Sequence, residues 1–60
     1  MKPEQLRRLR QKLGLTQEEL ALEVGVARNS VARWERGEMA ISEPAARLIQ
    51  RIADDRKAKR

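Results

Sequence analysis

The sequence predicts an all-α domain of four short helices, and three observations carry that expectation. Apolar residues recur at helical spacing in successive blocks. Glycines and prolines fall at the block edges, where helices stop and start. No stretch alternates apolar and polar residues for long enough to make a strand.

In the first block Leu6, Leu9 and Leu13 share one face, with Arg10 among them. Pro3 suits the first turn, where its missing N–H costs nothing, and Gly14 suits the position just past the end. Leu15 is then placed to fold back onto Leu9.

The second block has the best-marked start in the chain. Thr16-Gln17-Glu18-Glu19 reads as a capping box, and Leu15 with Leu20 as the hydrophobic staple around it. Leu20, Ala21 and Val24 form the inner stripe, Leu22 points away, and Gly25 ends the helix.

A third helix is expected from Arg28 to Arg36, weakly capped by Ala27 and stopped by Gly37. Val31, Trp34 and Glu35 share its inner face; Arg28, Asn29, Ala32, Arg33 and Arg36 share the other. A fourth helix begins at Ser42 or Glu43, a choice complicated by Pro44, with Ala45, Leu48, Ile49 and Ile52 as its buried stripe. From Asp54 onward the chain is charged apart from Ala58, and fraying is expected there. The domain is therefore read as 1–55, followed by a basic, disordered tail at 56–60. Ile41 should be core, and Met39 is a candidate for an exposed apolar dimer contact.

Length and composition exclude much. Sixty residues make one domain hiding only about 60% of its unfolded surface, too little to wall a deep pocket. The chain has no cysteine and no histidine. That removes disulfides, zinc ribbons and iron–sulfur sites, and the expectation is no metal and no cofactor. Thr16, Ser30 and Ser42 carry the only hydroxyls, with no imidazole to activate them, so no enzyme is expected. The default compartment is a reducing cytoplasm. No apolar run approaches a membrane span, and the start Met1-Lys2-Pro3-Glu4-Gln5 lacks the apolar stretch of a signal peptide. Fourteen Lys and Arg against nine Asp and Glu leave a net charge of +5. Composition alone fits a polyanionic partner and a merely soluble surface equally well.

Two short helices joined through Val24-Gly25-Val26 carry the signature of a helix-turn-helix. If Val31 and Trp34 pack inward, the Arg28/Asn29/Arg33 face must point out, as a polar basic ridge narrow enough for a DNA major groove.

These residues resemble a known family. Leu15-Thr16-Gln17-Glu18-Glu19-Leu20-Ala21, then Val24-Gly25-Val26, then Val31-Ala32-Arg33-Trp34-Glu35-Arg36-Gly37 are similar to the Cro/C1-type (Xre) helix-turn-helix family, over about Leu6 to Ile52. The resemblance implies a lambda-repressor-like fold of four or five helices. It also implies sequence-specific binding to double-stranded DNA by a small transcriptional regulator, a repressor, acting as a homodimer on a palindromic site. By position, Arg28, Asn29, Ala32 and Arg33 would face bases, and Gln17, Ser30 and Arg36 would contact phosphates. Arg10 and Glu35 would form a structural salt bridge. The setting would be a bacterial or phage-type cytoplasm. Departures from the pattern are the charged end of the chain, where many members have a fifth helix, and Glu38, where a basic residue would serve phosphate better.

Each assignment has a plainer counterpart. Arg28, Asn29 and Arg33 taken alone could be a solvated helix face. Gln17 could be a simple first-turn residue. Arg10 and Glu35 could snorkel to the rim rather than pair in the interior. Trp34, the one aromatic, belongs to the core rather than to a base-stacking platform. The Arg56-Lys57-Ala58-Lys59-Arg60 run serves solubility, non-specific affinity or a partner chain. The rival to a regulator is an antitoxin or coactivator-like module of the same fold, holding a protein partner such as a toxin.

Overall fold

The computed structural model describes residues 1–58. Four α-helices follow one another: α1 (Pro3–Lys12), α2 (Gln17–Val24), α3 (Arg28–Arg36) and α4 (Glu43–Ala58). Their radius of gyration is 10.5 Å, close to the roughly 10 Å of a globule this long. Among the described residues there is no strand and no fifth helix.

Local sequence sets most of the boundaries. Gln5 accepts the Lys2 N–H at 2.9 Å at the head of α1, with Pro3 in the first turn. The far end closes as a Schellman motif: Gly14 N–H donates to Gln11 O at 3.0 Å and Leu15 N–H to Arg10 O at 3.1 Å. At α2 the capping box is complete. Glu19 N–H reaches Thr16 Oγ1 at 3.0 Å, and Glu19 Oε1 accepts the Thr16 N–H at 2.8 Å. The Ala27 start of α3 has no side-chain cap. Ser42 caps α4, accepting the Ala45 N–H at 3.3 Å, so Glu43 is the first helical residue despite the proline that follows. Pro44 falls in the first turn, where no backbone donor is needed.

The corner between α2 and α3 rests on Gly25, whose φ is +86°. Both Gly25 N–H (2.8 Å) and Val26 N–H (3.0 Å) donate to Ala21 O, which turns the chain within one residue. A side chain carrying Cβ is strained in this left-handed region, and glycine is not.

Leu6, Leu20, Ala21, Val31, Trp34 and Ile49 form the buried core, with Leu9, Leu15, Val24, Val26, Ile41 and Ala45 packed around it. α3 lies against both α2 and α1, and α4 packs on α2. Leu22 projects into solvent at 76% exposure.

Two expectations for α4 need correction. Helical spacing puts Leu48 in the buried stripe, yet it is 38% exposed, while Ala53 is buried. The face turned inward runs through Ala45, Ile49 and Ala53, a strict i+4 row, and Leu48 flanks it on the solvent side. Nor does the helix fray from Asp54: α4 continues to Ala58, and Arg56 pairs with Glu23 of α2. The helix therefore runs on through a stretch whose composition suggests loss of order, and it carries one contact to α2 there. Of the basic run at 56–60, Lys59 and Arg60 lie outside the described residues.

A Cβ added at Gly25 would meet nothing within 4 Å, so Gly25→Ala isolates the backbone term. Urea unfolding should show a loss of about 1–2 kcal/mol; an unchanged midpoint would mean that the corner relaxes freely.

Candidate nucleic-acid interface

The amphipathic pattern of α3 divides it cleanly. Val31, Trp34 and Glu35 are buried, while Arg28, Asn29, Arg33 and Arg36 are exposed and Ser30 and Ala32 half-buried. From Arg28 to Arg36 the ridge extends about 12 Å along the axis, at about 1.5 Å per residue. Ion pairs among the described residues involve Arg7, Arg10, Arg36, Arg47 and Arg56. Arg28 and Arg33 have no ion-pair partner among those residues and present their full charge to solvent. Arg36 is paired: its Nε lies 3.2 Å from Glu38 Oε2, with both side chains more than half exposed.

Behind the ridge sits the one buried charged residue of the described chain, Glu35, at 5% exposure. Arg10 from α1 meets it with two bonds, Nε to Oε2 at 2.6 Å and Nη2 to Oε1 at 3.2 Å. The third arm of Arg10, Nη1, donates to Leu15 O at 2.9 Å. Gln17 Nε2 donates to Glu35 Oε1 at 3.1 Å, and Arg7 Nη2 to Glu35 O at 3.3 Å. No described buried side-chain polar atom lacks a partner. This satisfaction is what makes a charge tolerable in so small an interior. Burial by itself raises the Glu35 carboxyl. The Arg10 hydrogen bond, the Gln17 hydrogen bond and the charges of Arg10 and Arg7 outweigh it, and the group ends below the ordinary carboxylate range.

Gln17 and Glu35, expected to serve phosphate and structure respectively, are therefore in direct contact. Sequence reasoning missed Arg7 altogether. A signal was present, because Arg7 stands three residues before Arg10 and so on the same helix face. Gln17's contact had no such signal, since it depends on how α2 sits against α3.

With this geometry in view, comparison with known proteins adds the family. The helix-turn-helix profile matches residues 6–54. The chain belongs to the Cro/C1-type helix-turn-helix family. Two relatives, from Pyrococcus furiosus and Thermococcus kodakarensis, are provisionally named HTH-type transcriptional regulatory proteins; each is 44% identical over 52 residues, 87% of this chain. The chain spans only 16% of the length of those relatives. No solved structure matches it significantly. Within this helix-turn-helix domain, no group of three or more metal-ligating side chains is found among the described residues. No described helix is long and apolar enough to cross a membrane.

Two outcomes follow for Glu35. Its alanine variant should lose about 3–5 kcal/mol of folding stability in urea titrations, because Arg10, largely enclosed, is left without its counter-ion. A loss near zero would mean that Arg10 swings out to solvent. The lowered carboxyl contributes stability that is present above the unfolded-state value, about 4.3, and disappears as pH falls through the folded-state value. Urea midpoints should accordingly drop on acidification below about pH 4, and a Glu35→Gln variant should lack that part of the decline.

Proposed function

We propose that this domain binds double-stranded DNA sequence-specifically as the DNA-reading part of a transcriptional regulator, with α3 in the major groove. The observation that carries this reading is the outward Arg28–Arg33 face, whose two guanidiniums have no ion-pair partner among the described residues. The groove, about 12 Å wide, admits one helix. Arg28 and Arg33 suit guanine O6 and N7, Asn29 suits adenine, and the Ala32 methyl suits thymine. Ser30 and Arg36 flank these positions and serve phosphates, as does Gln17 at the head of α2. Arg36 leaves Glu38 to do so, at little cost for a pair this exposed. The names of the archaeal relatives support the regulatory role.

A single copy of this ridge offers few base contacts, so operator-level affinity calls for two copies on a palindromic site, with half-sites about one helical turn apart. Repression is the mode we propose, since a domain seated in a promoter's groove excludes other proteins by its volume alone. Its place of action would be the cytoplasm.

Selection from random duplexes followed by titration at several salt concentrations tests the reading. The expected result is a symmetric preferred site, with a log–log salt slope of about −0.9 per phosphate contacted. Arg28→Ala or Arg33→Ala should cost about 1–3 kcal/mol and relax preference at one base position. Binding that is equally weak on all sequences, with a protein co-purifying instead, would favour an antitoxin or coactivator-like module.

A further inference from the structure

Asn29, Arg33 and Arg36 stand at i, i+4 and i+7 of α3, on one line down its exposed side. Arg36 is the last guanidinium of that stripe, and it differs from the other two on the helix. Arg28 and Arg33 have no ion-pair partner among the described residues, whereas Arg36 is held by Glu38. Its Nε lies 3.2 Å from Glu38 Oε2, and its Nη2 donates to Glu38 Oε1 at 3.4 Å. Both carboxylate oxygens are therefore turned to the one guanidinium, fork to fork.

The backbone fixes Glu38 in this place. Gly37, at φ +77°, turns the chain back on the helix. Gly37 N–H donates to Trp34 O at 3.2 Å and Glu38 N–H to Arg33 O at 3.0 Å, the two bonds of a Schellman motif. When the ion pair opens, the carboxylate thus stays tethered at the end of α3. That position works against the helix. The C-terminal end of a helix carries partial negative charge, which favours Arg33 and Arg36 in the last turn and disfavours a carboxylate just beyond it. A pair with both side chains more than half exposed adds little to stability. Folding therefore gains little from Glu38, and its main consequence is a negative charge at the end of the surface turned to a polyanion.

We propose that Glu38 is an affinity-limiting residue, which neutralises Arg36 and keeps a carboxylate at the edge of the bound duplex. This inference rests on the DNA-binding reading above. In the complex Arg36 turns from Glu38 to a phosphate, and Glu38, two residues away, offsets the charge that Arg36 brings. The site then displaces about one counterion fewer than its guanidiniums would by themselves. The effect falls on the sugar–phosphate backbone and so weakens every sequence alike. A lone copy holds its half-site loosely, and occupancy comes to depend on the second copy.

The test compares the wild-type domain with Glu38→Gln, which keeps the shape of the side chain and removes its charge. Asp55→Asn makes the same change of net charge at an exposed carboxylate of α4 and serves as the control. Each is titrated with the selected duplex from about 0.05 to 0.3 M salt, beside a thermal melt of the free protein. Glu38→Gln should bind more tightly and steepen the log–log slope by about 0.9, so that its gain is about fivefold larger at the low-salt end than at the high-salt end. Its ranking of sites and its melting temperature should match the wild type, and Asp55→Asn should keep the wild-type slope. If the wild type binds and Glu38→Gln has the wild-type slope, the inference falls, and a lowered melting temperature then makes Glu38 a structural residue. Equal steepening in Asp55→Asn also overturns it, since net charge alone would account for the gain. If the wild type prefers no duplex at all, the DNA-binding reading falls first.

Discussion

A single carboxylate, buried where three helices meet, is the constraint on which the arrangement of this domain depends. Glu35 is too deeply placed to keep its charge without partners, and α1 and α2 each supply one: Arg10 with two bonds, Gln17 with one. Hydrophobic contacts among Leu6, Leu20, Val31 and Ile49 hold the helices together but tolerate sliding and rotation. A charged pair with directional bonds tolerates neither. Rotating α3 by a fraction of a turn would strand Glu35, and the rotation of α3 decides which side chains it shows to solvent.

This links stability to recognition in one physical step. Arg28 and Arg33, proposed to read bases, have no ion-pair partner among the described residues to hold their direction. Their aim is set from behind, by Val31, Trp34 and Glu35 seated on the other side of the same two turns. A domain of this size has little apolar surface to spend on rigidity. One well-satisfied polar cluster supplies the specificity of orientation that more core would otherwise provide.

The anchoring of α4 shows the same logic at lower stakes. Composition after Asp54 suggests a frayed end, yet the helix persists to Ala58 with Arg56 reaching Glu23. Propensity and charge describe a segment in isolation. A contact with another helix, such as that of Arg56 with Glu23, is not written in the segment.

Boundaries and faces were legible from the chain because their causes are local. The Thr16–Glu19 box, the turn at Gly25, the stop at Gly37 and the inward triplet of α3 each depend on residues within a few positions of one another. Arg10 and Glu35 were legible as partners because each places a charge on an apolar face. What packing decided was different in kind. The choice between Leu48 and Ala53 for burial, the tie from Gln17 to Glu35, the second guanidinium of Arg7 and the Arg56 contact all depend on the relative rotation of helices far apart in sequence. Spacing along the chain determines which side of a helix a residue occupies; only the docking of helices determines what that side meets.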